Sequence, residues 1–371
     1  MRHVPFAQRH LAHWLGWVPA LGPTLGRLES SVLRDEIEAV QPGPPVWICG
    51  MARAGSTILL EVLNSAPGFT SQQYGDYPWL WTPYWRNWLR ARLPRSSPTA
   101  SERAHRDRLA VTPESPEAFE EAFWMQAFPD RHDPNVDQRL IADLRNDRFD
   151  RRFDAHQRKL LLVRGANRYL AKANYQLPRI AYLLRRYPNA RFLIPVRDPF
   201  AQVESLRRQD AWFRQLDEED PAVSAHMARV GHFEFGPQKR VYNLGDAVLT
   251  ASIVDHFSRD ESVAGYARQW IAQYGYALDL MRSDPGIART CLWVGYEQLC
   301  ADPANELARI TRHVGIETND AARLVTDWMS RISAPSHPPI DWSASQRDDV
   351  ERVTSALWRS IQPLLHADGG D

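Results

Sequence analysis

Three groups of residues in this chain have the types and spacing to bind an anion and act on it. The first is Gly50-Met51-Ala52-Arg53-Ala54-Gly55-Ser56-Thr57, a run of small residues around one arginine, between an apolar run and a helical pattern. In a loop of this kind the backbone N–H groups and the positive end of the following helix converge on a phosphate. The second is Arg197, followed by Ser205. Arginine's planar fork suits a phosphate, although singly Arg197 also reads as an ion-pair partner and Ser205 as a solvent-facing helix hydroxyl. The third is Lys172, one of only three lysines (with Lys159 and Lys239) in a chain whose other basic residues are arginines. Asp76 is the sole carboxylate of an aromatic stretch, residues 70–88, that carries Tyr74, Tyr77, Trp79, Trp81, Tyr84, Trp85 and Trp88. It is a candidate acid or base, and most of the rings read as a core-covering segment.

The elements around these residues alternate between strand and helix. Residues 46–49 form an apolar run of strand length after Pro44-Pro45, and Ile58, Leu59, Val62 and Leu63 fall on one helical face ended by Pro67-Gly68. Residues 168–173 form a second short run, which contains Lys172. Leu177, Ile180 and Leu184 predict a helix with Arg185 and Arg186 in its last turn, and 191–196 the next strand. Pro195 predicts that pairing stops there or that a bulge intervenes. Asp198-Pro199 is an N-cap with proline at the first helical position. Such alternation predicts a parallel α/β sheet, and Arg197 leaves its strand at the edge where open α/β sheets bind ligands. Further helices are expected near 28–40, 119–128, 136–144 and 263–281, and a buried strand at 291–294 leads to Tyr296 and a helix reaching Val314. Residues 95–116 read as a surface linker, 217–220 as a solvated acidic turn, 232–246 as an aperiodic lid or acceptor loop, and 335–339 as a break.

Composition narrows the classes. The 371 residues carry 45 Lys+Arg and 45 Asp+Glu, so no global charge draws the chain to nucleic acid or anionic membrane. Cys49, Cys291 and Cys300 are odd in number and widely spaced, which predicts reduced, mostly buried thiols and a cytoplasmic protein. No apolar run reaches the roughly 18 residues of a membrane span; the stretch 11–25 is broken by His13, Gly16, Pro19 and Pro23. No His/Cys/Asp cluster has ligand spacing, so no metal is expected.

Gly50, Gly55 and Thr57 keep the spacing of a nucleoside-triphosphate loop, GxxxxGK[ST], but Ser56 stands at the lysine position and the basic residue is Arg53. This loop resembles instead the 5′-phosphosulfate loop of the sulfotransferases, usually Pro-Lys/Arg-Ser-Gly-Thr-Thr. Arg197 and Ser205 match the family's Arg and Ser on the 3′-phosphate of the donor nucleotide. Lys172-Ala173-Asn174 corresponds to its Lys-Thr-His element, with Asn174 at the position of the basic histidine. Tyr296-Glu297-Gln298-Leu299 and Asp302-Pro303 are similar to a late element whose tyrosine lies near the adenine. The resemblance spans roughly residues 46–316.

It implies an α/β, three-layer P-loop-like fold with a central, mainly parallel sheet flanked by helices. A single domain with its core over 44–318 would carry helical extensions at 1–43 and 319–371. It also implies sulfuryl transfer from 3′-phosphoadenosine 5′-phosphosulfate to a hydroxyl or amine of a small-molecule or lipid-like acceptor, with no metal. Arg53 and the N–H groups of Ala54, Gly55, Ser56 and Thr57 would hold the 5′-phosphate, Lys172 would assist there, and Arg197 and Ser205 would hold the 3′-phosphate. An amide takes no proton at neutral pH, so Asn174 leaves the base to another residue, for which Asp76 is the candidate. The alternatives are a nucleoside-triphosphate kinase and a non-catalytic nucleotide- or anion-binding protein.

Overall fold

Five short apolar runs form the strands β1 (Val46–Cys49), β2 (Phe69–Thr70), β3 (Arg168–Ala173), β4 (Arg191–Val196) and β5 (Cys291–Gly295). In this computed structural model, which describes residues 21–92, 101–102, 110–333 and 339–367, they make one parallel sheet in the order β2-β3-β1-β4-β5. The helices that matter here are α1 (Leu21–Val32), α2 (Ser56–Asn64), α3 (Asp147–Arg164), α4 (Pro199–Glu219), α5 (Ala222–Val230), α6 (Ser262–Ser283) and α7 (Pro303–Val314).

Alternate strand residues feed two cores. Val46, Ile48, Leu193, Leu292 and Val294 pack with Leu59 and Leu63 of α2 and Leu307 and Ile310 of α7. Trp47, Cys49, Phe192, Ile194 and Trp293 pack on the other face with Phe153 and Leu160 of α3 and Trp270 and Tyr274 of α6. Burial on both faces is why the strands read as continuous apolar runs, and the α/β fold expected from the sequence is the one observed. On the α3 side, Lys159 forms a fully buried ion pair with Glu29 of α1 at 2.9 Å and donates to Trp81 O.

Several local expectations change. Residues 136–144 are irregular rather than helical, because their backbone donors go elsewhere: Gln138 N to Asn243 O at 2.9 Å and Leu140 N to Pro178 O at 2.8 Å. The acidic run at 217–220 is the last turn of α4, with Asp220 N donating to Leu216 O. The region 28–40 holds the end of α1 and a separate helix, Arg34–Ala39. Pro195 causes no bulge, since β4 pairs with β5 through Pro195 and Val196, while its pairing with β1 ends at Leu193. Within 95–116, Ser101–Glu102 pairs with Ala110–Val111; the rest of 93–109 lies outside the described residues, as do 1–20 and most of the break at 335–339. No described helix is long and apolar enough to cross a membrane.

Candidate active site

The loop after β1 turns sharply because two of its residues are left-handed: Arg53 with φ 69° and Gly55 with φ 88°. Glycine adopts that conformation freely, but an arginine does so at a cost of about 1–2 kcal/mol, and such strain is concentrated at functional positions. The loop is also held close on both sides. A Cβ on Gly50 would lie 2.9 Å from Pro195 O, and one on Gly55 would lie 2.6 Å from the Tyr296 ring. Gly55 caps α2 without a side-chain cap, so the cap residue offers nothing to the first N–H groups of that helix, which point at the loop.

The sheet register delivers the other groups. Lys172 lies opposite Ile48 on β1, and its Nζ donates to Thr57 Oγ1 at 3.2 Å. Arg197 follows β4 directly, and Asp198, accepting from Ala201 N, starts α4. The Arg197 side chain donates to Arg53 O at 3.4 Å, lies 3.9 Å from Glu297, and sits 4.8 Å over the Tyr296 ring. Burial pulls its guanidinium down from the usual value, opposed by Tyr296 and Glu297; arginine nonetheless stays charged. Ser205, two turns into α4, accepts from Arg53 Nε at 3.0 Å.

These residues surround an open cavity of about 300 Å³ lined by Arg53, Gly55, Ser56, Thr57, Lys172, Asn174, Arg197 and Tyr296. That size is at the lower end for ligand pockets. Ala54 is buried behind the loop, and Ser205 reaches the site through Arg53. Asp76 is not brought there. It is buried between Arg86 at 3.1 Å and Arg164 at 2.7 Å and accepts from Gln73 N. The aromatic stretch 70–88 contributes no lining residue either; Tyr77 packs on Phe119 and Trp81 on Phe123.

The lining includes five polar residues that reasoning from the sequence missed: Glu117, His232, Glu234, Arg331 and Ser333. Asn174 Nδ2 donates to Glu234 Oε1 at 2.6 Å, and His232 Nδ1 lies 3.6 Å from Glu234 Oε2. Glu234 is 6% exposed and His232 14%. Although burial opposes it, the His232 and Asn174 contacts hold the Glu234 carboxyl below its usual value. Likewise burial disfavours the His232 imidazolium, yet the charges of Glu234 and Glu117 raise its pKa overall. The only signal in the sequence was that 232–246 has no period and could cover the site.

The sulfotransferase family model matches residues 44–240, a little over half of the chain. Sulfotransferase STF9 from Mycobacterium avium superposes with a TM-score of 0.50 at 12% identity, over 92% of this chain and 83% of that one. STF1 from Mycobacterium tuberculosis does so at 0.48 and 14% identity, over 90% and 81%. A search of curated proteins finds no match.

Proposed function

The chain belongs to the sulfotransferase family, and from that premise we propose that it transfers a sulfuryl group from 3′-phosphoadenosine 5′-phosphosulfate to an acceptor hydroxyl or amine. One observation carries this reading. Arg53 and Ser205, from two motifs far apart in the chain, meet at 3.0 Å beside a cavity that Lys172 and Arg197 also line.

In this reading the N–H groups at the start of α2 and the Arg53 guanidinium hold the 5′-phosphate. Lys172, shared with Thr57, neutralises charge building on the leaving oxygen as the S–O bond breaks. Arg197 and Ser205 hold the 3′-phosphate, and the Tyr296 ring beside Arg197 covers the nucleotide. As in phosphoryl transfer, the protein's contribution is positioning and charge neutralisation. The acceptor would be a small molecule entering beside Asn174 and the 232–234 segment.

Calorimetric titration tests the reading. It expects adenosine 3′,5′-bisphosphate to bind without Mg²⁺ and in preference to ATP. Preference for ATP with Mg²⁺ would favour a kinase loop.

A further inference from the structure

Sulfuryl transfer to a hydroxyl frees the acceptor's proton, and Asn174, which the resemblance aligns with a basic histidine, is an amide that cannot take it. That amide donates its Nδ2 hydrogen to Glu234 Oε1 at 2.6 Å, and the opposite oxygen of the same carboxylate faces His232 Nδ1 at 3.6 Å. All three residues line the cavity that holds Lys172 and Thr57. We propose that His232, oriented by Glu234 and through it by Asn174, is the base of the transfer reaction.

The segment is built to hold the imidazole in place. Gly231, with φ 84°, ends α5 with His232 N bonded back to Met227 O at 2.9 Å. A side chain there would run into Glu121, 2.3 Å from the added Cβ. Phe233 N donates to Tyr175 Oη at 2.8 Å, Tyr266 Oη donates to Glu234 O at 3.0 Å, and Gly236 N donates to Asp210 Oδ1 at 2.8 Å. With its backbone anchored at four of the five residues 232–236, this segment positions the imidazole.

The proton balance follows from the donor reading, on which this proposal rests. The acceptor oxygen attacks sulfur, the bond from sulfur to the 5′-phosphate oxygen breaks, and the bisphosphate leaves carrying that electron pair at Arg53 and Lys172. The acceptor proton passes to His232 Nε2, while Nδ1–H faces Glu234 and stabilises the imidazolium. Glu234, Glu117 and Lys172 act on this ring; the carboxylates raise its basicity and the lysine lowers it. A histidine is better matched to proton abstraction near neutral pH than Glu234, whose carboxyl is held low. Glu117, the other lining carboxylate, accepts from Ala118 N at 2.7 Å.

The test pairs single-turnover release of bisphosphate from the donor, with water, ethanol or phenol as acceptor, with histidine ring titration by NMR on the full chain. Turnover of the wild type should rise with pH through the His232 pKa, because only neutral imidazole accepts a proton. His232→Ala should lower it by about 10²–10³-fold and remove that limb, with bisphosphate binding intact. Glu234→Gln should move both the limb and the NMR titration of His232 to lower pH. A ring titration that Glu234→Gln leaves in place overturns the proposal, whatever the turnover with these acceptors. So does a limb that survives His232→Ala but is lost in Glu117→Gln. Failure of the wild type to bind the bisphosphate would instead sink the donor reading.

Discussion

Arg53 Nε donates to Ser205 Oγ at 3.0 Å, joining the loop after β1 to the second turn of α4. Because Arg197 also donates to Arg53 O, the left-handed arginine is the point where the two anion motifs touch. The strain at Arg53 is held by these contacts, and Arg53, Lys172 and Arg197 bring positive charge to this part of the cavity. On the proposed reading, donor binding inserts two phosphates into this cluster, and the Arg53–Ser205 bond is exchanged for bonds to the ligand.

Lys172 separates binding from turnover. Its Nζ lies against Thr57 at the start of α2, and on the proposed reading charge develops there only as the sulfuryl group departs. Lys172→Ala should therefore lower single-turnover release of bisphosphate by about 10²–10³-fold while changing little the donor concentration that half-saturates that rate. Equal loss of affinity and rate would assign the lysine to ground-state binding alone.

Gly55 is constrained by conformation and by contact together. Gly315 provides the comparison: it too is left-handed, at φ 67°, but an added Cβ there would meet nothing within 4 Å. Gly315→Ala should cost about 1–2 kcal/mol of stability through backbone strain. Gly55→Ala should cost more and also weaken bisphosphate binding, because its Cβ would press on Tyr296 at 2.6 Å. Denaturant melts of the two variants, with binding measured on each, decide this.

Four of the five strands were legible because strands buried on both faces leave apolar runs followed by a helical pattern; β2, only Phe69–Thr70, was too short to show one. Arg53, Lys172, Arg197 and Tyr296 could be placed in one site because each lies at the C-terminal end of a strand in such a sheet or just after it. The 136–144 segment was misread because its polar–apolar spacing resembles a helix, while its N–H groups bond to the loops at 178 and 243. Asp76 looked functional as a lone carboxylate among rings, and no pattern in sequence reveals that Arg86 and Arg164 close on it. His232 and Glu234 were hidden for a related reason: an irregular segment has no period to reveal which side chains face inward.

Asp76 should behave as a structural residue. Breaking a buried ion pair leaves its partners uncompensated, at a cost of about 3–5 kcal/mol. Asp76→Asn should thus melt at markedly lower temperature, yet bind bisphosphate and release it at the wild-type rate when assayed while folded. A folded Asp76→Asn protein without turnover would restore this carboxylate to the chemistry.

The central claim is that Arg53, Arg197 and the start of α2 form one site for a nucleotide bearing 3′- and 5′-phosphates, and calorimetry on Arg197→Ala tests it most directly. The account predicts metal-independent binding of adenosine 3′,5′-bisphosphate to the wild type. It predicts a loss of about 1.5–3 kcal/mol, roughly 10- to 150-fold, in the variant, while adenosine 5′-phosphate, lacking the 3′-phosphate, binds both proteins alike. Equal bisphosphate affinity in the two proteins, or binding only of ATP with Mg²⁺, would contradict it.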